Sequence, residues 1–173
     1  MFYKVKKITS IIYSFILIVL LIALDQITKA LAVTHLMNQD DFILIPGVLQ
    51  FHYLENTGAA FSILEGKQSV FAIMTPILLL ILVYILIRMP QVKKNTFFDY
   101  IIVFIIAGAI GNYIDRTLNS YVVDFIYFSL INFPVFNVAD IYVTCSVIAL
   151  FLVIIFYYKD EDLEEIKRSL LFK

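Results

Sequence analysis

Four apolar stretches, each long enough to cross a bilayer, constrain this chain more than any other feature. A helix spanning the hydrocarbon layer, roughly 30 Å thick, needs about 20 residues. Residues 11–34, 69–88, 96–114 and 138–158 meet that length. Lipid offers no partner to backbone N–H and C=O groups, so such stretches must be helical. The predicted fold is therefore membrane all-α, with four transmembrane helices in a single domain over 1–173. Pro76 falls inside the second stretch and predicts a kink, which membrane helices tolerate. Composition agrees: 62% of residues are hydrophobic and the mean hydropathy is +0.93, too apolar for a soluble domain of this length. A net charge of −1 provides no field for nucleic acid. The lone Cys145 rules out an internal disulfide framework and reads as packing. With no His/Cys cluster, neither a metal nor another cofactor is expected.

The remaining charges set a topology. Lys4, Lys6 and Lys7 precede the first span, Arg88, Lys93 and Lys94 lie between the second and third, and Lys159, Lys167, Arg168 and Lys173 follow the fourth. Lys29, Lys67 and Arg116 belong to the other side. The positive-inside rule then puts both termini in the cytoplasm and the long connections, about 35–68 and 115–137, outside. The basic start followed by Ala30-Leu31-Ala32 mimics a secretory signal. Its apolar run is too long, and Asp25, Gln26 and Lys29 interrupt it, so the segment is expected to be retained. In the first outer connection Leu49, Phe51 and Tyr53 share one face of a predicted strand and Gln50 and His52 the other. Pro46-Gly47 and Asn56-Thr57-Gly58 bound it as turns. A small sheet on the membrane surface follows. His35 and His52 read as loop residues, and 160–173 as a solvated helix.

Polar residues gather at one level. Asp25 follows Ile8 by 17 residues, roughly 25 Å of helix, which places it near the outer edge of the hydrocarbon. Asp115 and Arg116 lie a similar distance past Thr96, and Asp140 opens the fourth span at its outer end. Gly108, Asn112 and Asp115 share a helix face at i, i+4, i+7 spacing. Ala107, Gly108, Ala109 and Gly111 are small enough for a second helix to approach. Asn137 and Asp140 also share a face; Asn137 reads as a helix N-cap, a site residue, or both. Asp25 and Lys29 can pair, either as a helix-end ion pair with Lys29 reaching outward or in support of a site. Arg116 reads as a site residue or a lipid-phosphate anchor, and Asp115 as a partner to Lys or Arg.

Asp124 is the most telling of these residues. It is the single charge in the run Tyr121-Val122-Val123-Asp124-Phe125-Ile126-Tyr127-Phe128, within the second outer connection and without an evident partner. A carboxylate in apolar surroundings is costly unless paired, hydrogen-bonded or protonated, and in a membrane protein it marks a functional candidate. With Asp140 it suggests a pair sharing one proton. The ionised member would activate water and the protonated member would donate to an amide carbonyl, without metal or covalent intermediate. Two alternatives stay open: a proton-coupled transporter, whose sites usually lie at the bilayer midplane, and a scaffold in which polar groups only join helices.

Five blocks carry a resemblance over nearly the whole chain: Asp25-Gln26-Ile27-Thr28-Lys29, Asn56-Thr57-Gly58-Ala59-Ala60-Phe61-Ser62, the stretch from Gly108 to Arg116, Val122-Val123-Asp124-Phe125, and Phe136-Asn137-Val138-Ala139-Asp140. In this order the chain resembles lipoprotein signal peptidase (signal peptidase II), a bacterial membrane aspartic protease. The resemblance implies Asp124 and Asp140 as the catalytic dyad, with Asn56, Gly108, Asn112, Arg116 and Asn137 lining the site and Asp25 and Lys29 supporting it. It implies removal of the signal peptide from diacylglyceryl-modified prolipoproteins, cut just before the lipidated cysteine at the outer face of the cytoplasmic membrane. It also implies an extracytoplasmic β-platform, a flap loop, contact with membrane lipid, inhibition by globomycin-type compounds and a monomeric enzyme. Tyr121, Phe125, Tyr127, Phe128, Phe133 and Phe136 would form a flap or interfacial belt. Ala107, where the family often has glycine, and Ile141, where a small polar residue is common, depart from its pattern.

Overall fold

The apolar stretches fold as helices. The computed structural model describes residues 2–58 and 68–171. Its elements run α1 (Phe2–Leu36), β1 (Phe42–Ile45), β2 (Leu49–Asn56), α2 (Gln68–Arg88), α3 (Thr96–Asn119), β3 (Val122–Tyr127), α4 (Val138–Leu152) and α5 (Asp160–Leu171). A π-helical turn, Val153–Tyr157, continues α4. Four helical segments are long and apolar enough to span a membrane: Lys7–Leu36, Ser69–Arg88, Lys93–Asn119 and Val138–Tyr157. Large apolar side chains point outward along them, with Leu80 72% and Phe156 78% exposed. Lipid, not water, is the solvent that accepts such a surface, and the chain is a multi-pass membrane protein.

Helix α3 is the central element, packed against α1, α2 and α4. Ile101, Ile102, Val103, Ile105 and Ile106 are buried on it, followed by Ala107 and Gly108. The small pair admits α4: a Cβ on Gly108 would stand 2.6 Å from the Ala139 carbonyl oxygen. Ala107 is fully buried, in a cluster with Leu21, Val103 and Tyr142.

Strands β1, β2 and β3 form one antiparallel sheet in that order. Gly47, at φ +70°, makes the predicted Pro46-Gly47 turn between β1 and β2. Phe51 and Tyr53 pack with Ala32, Leu36, Val123 and Phe125, seating the sheet on the C-terminal end of α1. The alternate residues His52, Leu54 and Asn56 are left to face a cavity.

Several predicted boundaries shift. Helix α3 runs to Asn119 instead of ending at 114, because Asp115 and Arg116 have partners inside the protein and do not mark an interface. It stops at Ser120, which takes φ +68° and donates its N–H to the Arg116 carbonyl. Asp124 lies in strand β3, not in a loop. His35 belongs to the last turn of α1. Phe125 is buried against α1 and not in an interfacial belt. Pro76 lies within α2, which continues through it as one helix. Ala59, Ala60, Phe61, Ser62 and Lys67, with any flap formed by that part of the first connection, lie outside the described residues.

Candidate active site

Asp140 is placed by a local rule. Asn137 caps α4, its side-chain oxygen accepting from the Asp140 N–H at 2.9 Å, while Asp140 Oδ2 accepts from the Asn137 N–H at 3.2 Å. This reciprocal box requires a short polar cap residue and a matching acceptor three residues on. Asp140 Oδ1 then accepts from Asn112 Nδ2 of α3 at 2.8 Å.

Asp124 arrives from a different element. It stands opposite Leu54 in the β2–β3 ladder. Its Oδ1 accepts from Asn137 Nδ2 at 2.6 Å and its Oδ2 from Asn56 Nδ2 at 2.8 Å. Asn137 thus caps α4 and also touches both carboxylates. Asn112 Oδ1 accepts from Lys29 Nζ at 2.9 Å and from Asn137 Nδ2 at 3.1 Å, which orients its amide nitrogen toward Asp140.

Beneath this layer lies a buried ionic one. Lys29 spends all three ammonium protons: on Asp25 Oδ2, Asp115 Oδ2 and Asn112 Oδ1, each at 2.9 Å. Its side chain is 4% exposed, so it does not reach outward to the interface. Gln26 Nε2 donates to Asp115 Oδ1 at 2.9 Å and to the Gly111 carbonyl at 3.3 Å. Gly111 itself admits Asp25, since a Cβ there would stand 2.5 Å from Asp25 Oδ2. Arg116 donates to the Gly58 carbonyl at 2.7 Å and lies 4.4 Å over the Phe71 ring.

Burial raises the Asp124 carboxyl, and the nearby charge of Asp140 raises it further, to about 7. The amide donors Asn56 and Asn137 oppose that rise by favouring the anion. Both carboxylates line a cavity of about 1070 Å³. One wall follows α4 past Ile141, Thr144 and Cys145; the other follows the sheet to Asp41 and His52. Ile141 lines this space, so the departure at that position falls on the cavity wall. A buried carboxylate and a half-buried one beside an open cavity can hold one proton between them and polarise water or an amide carbonyl.

Residues 17–156 match the family model described as Signal peptidase (SPase) II. The chain belongs to the signal peptidase II family. It is 41% identical over 141 residues to the lipoprotein signal peptidase of Enterococcus faecalis (strain ATCC 700802 / V583), covering 82% of this chain and 86% of that one. It is 40% identical over 145 residues to that of Streptococcus pyogenes serotype M5 (strain Manfredo), covering 84% and 92%. A bacterial membrane enzyme solved by the in meso method at 2.3 Å superposes with a TM-score of 0.73 at 37% identity, over 86% of this chain and 93% of that one. A second such structure, at 1.9 Å, also gives 0.73 and 37%. Membership makes the chain a membrane protease that processes prolipoproteins.

The structure brings together all nine residues expected at the site. Asp124, Asp140, Asn56, Asn112 and Asn137 form the hydrogen-bonded centre, Asp25 and Lys29 the layer behind it, Gly108 the helix contact and Arg116 the cavity wall. Sequence reasoning assigned no role to Gln26, although an amide in an apolar run beside Asp25 was a signal, and read Asp115 only as an ion-pair partner.

Proposed function

We infer that the chain hydrolyses the peptide bond just before the diacylglyceryl-modified cysteine of a prolipoprotein, with Asp124 and Asp140 as an aspartic acid–base pair. The shared Asn137 carries this reading: it hydrogen-bonds both carboxylates and keeps them on one wall of the cavity. At neutral pH the pair holds one proton. The ionised carboxylate takes a proton from water as it attacks the scissile carbonyl, and the other protonates the carbonyl oxygen. The tetrahedral species then collapses, and a proton passes to the leaving nitrogen. No covalent enzyme intermediate is needed. Asn56, Asn112 and Asn137 orient the carboxylates, and Arg116 with Gly58 forms a polar wall beside them.

The charge pattern supports cytoplasmic termini and a site near the outer face, where a lipid-modified substrate presents its cut. The cavity wall along α4, at Ile141, Thr144 and Cys145, would take the signal peptide and acyl chains beside membrane lipid. A globomycin-type inhibitor would compete for the same space. The chain acts as one domain and one monomer, since a single copy holds every group the mechanism needs.

The test is a gel-shift assay on a diacylglyceryl-modified prolipoprotein, comparing the wild-type chain with Asp124→Asn and Asp140→Asn. The wild type should shorten the substrate; each variant should fold and lose activity by about 10³-fold or more. Cleavage surviving in either variant removes the dyad assignment. Proton or solute transport without cleavage returns the transporter reading.

A further inference from the structure

The cavity is longer than the hydrolytic pair requires, and its far end is built. On β2, Asn56, Leu54 and His52 follow one another on the cavity side. Asn56 holds Asp124, so this row starts at the hydrolytic pair. At its far end Asp41 accepts from His52 Nδ1 at 2.7 Å through Oδ1 and from Gln50 Nε2 at 2.5 Å through Oδ2. A carboxylate can only accept from that ring nitrogen, so Nδ1 carries a hydrogen. The Tyr127 ring packs 6.1 Å from the His52 ring, and the Tyr127 hydroxyl donates to Asn132 Oδ1 at 2.6 Å, steadying the opposite side. Asp41, His52, Glu55, Tyr127 and Asn132 all line the cavity. None of them contributes to the proton chemistry.

We propose that Asp41 and His52 form a specificity subsite for the polypeptide that follows the cut, favouring basic and disfavouring acidic side chains about four residues downstream. This rests on the peptidase reading. Four residues of strand separate His52 from Asn56, roughly 13 Å at about 3.3 Å per residue. An extended substrate advances at nearly the same rate, so the side chain meeting His52 is about the fourth after the scissile bond. The signal peptide belongs to the α4 side of the cavity, so the segment over the sheet is the one released with the lipidated cysteine. Asp41 gives that end a carboxylate, held beside the His52 ring.

The test uses synthetic diacylglyceryl lipopeptides with a fluorophore and quencher across the cut, identical except for Lys, Ser or Asp at the third to fifth positions after it. The readout is the ratio of kcat/KM for the Lys and Asp peptides. It should be about fivefold or more in the wild type at low salt, fall with added salt, and drop toward one in Asp41→Asn. Asp41→Lys should invert it, which loss of structure alone cannot do. Glu164→Gln, on distant α5, should leave it as in the wild type. A wild-type ratio near one, or a ratio unmoved by these charge changes, overturns the subsite while peptidase activity stands. Failure of the wild type to cut any of the three peptides overturns the peptidase reading, and the subsite with it.

Discussion

Asp25 and Asp115 do the same task from opposite sides of Lys29. Each binds the ammonium at 2.9 Å. Asp25 Oδ1 then accepts the Ala139 N–H at 2.9 Å, and Asp115 Oδ2 accepts the Val123 N–H at 3.2 Å. Ala139 immediately precedes Asp140, and Val123 immediately precedes Asp124. One buried cation on α1 therefore links α3, α4 and β3 at the backbone beside both carboxylates.

Lys29→Ala should be among the most damaging single changes in the chain. It leaves Asp25 and Asp115 buried without their cation, a loss on the order of 3–5 kcal/mol. Thermal unfolding in detergent should show a large drop in Tm or no folded protein. Lys29→Ala/Asp115→Asn should recover part of it, because it removes one of the stranded charges.

Asn137→Ser should separate capping from catalysis. Serine keeps a cap acceptor for α4 but cannot donate to Asp124 and Asn112 together. The Tm should fall modestly, by the equivalent of about 1 kcal/mol, while kcat falls roughly 10- to 100-fold. Losing the Asn137 donor removes an interaction that favours the Asp124 anion, so the pH profile should shift to higher pH. A profile that stays in place would mean that Asn137 only caps the helix.

Stability should also depend on pH through Asp124. Its carboxyl is raised to about 7 by burial and by Asp140, from an ordinary value near 3.8. Between those values the folded chain holds a proton that the unfolded chain has lost. Stability from this group is therefore full below about 4 and declines as pH rises through about 7. The wild type should lose more Tm between pH 5 and pH 8 than Asp124→Asn, measured in the same detergent. Peptidase activity should likewise fall above about pH 7, as the pair loses its shared proton.

Gly108→Ala tests the α3–α4 contact. The added Cβ meets the Ala139 backbone oxygen at 2.6 Å and Val143 Cγ2 at 2.8 Å. The backbone cannot yield as a side chain can, so α4 should be pushed away at Asp140, at a cost of about 1–3 kcal/mol. Activity should fall by more than the loss of folded protein explains, since the shift moves Asp140 relative to Asp124. Ala109→Gly, outside that contact, makes a useful control for helix propensity.

Much of the scaffold was legible in the chain because its signals are local. Span length, the Gly108–Asn112–Asp115 face and the Asn137–Asp140 cap depend on residues a few positions apart. The strand at Leu49–Asn56 showed in its alternation. Strand β3 did not, because Val122 to Phe125 are all buried and an unbroken buried run has no two-residue rhythm. The end of α3 was misplaced for a related reason: Asp115 and Arg116 look like a helix end in sequence, and only their partners on α1 and at Gly58 show that the helix carries them within the fold.

The sequence by itself determined the four membrane helices, the level at which their polar residues lie, and the presence of two carboxylates in apolar surroundings. Hydrophobic length and helical periodicity are properties of neighbouring residues, and they survive without knowledge of the fold. Only the tertiary structure decided that Asp124 and Asp140 share Asn137, that Lys29 turns inward, and that His52 and Asp41 stand at the far end of the same cavity. Those meetings require α3 and α4 to touch at Gly108 and β3 to pair with β2 in one register. Both are set by packing between segments distant in the chain.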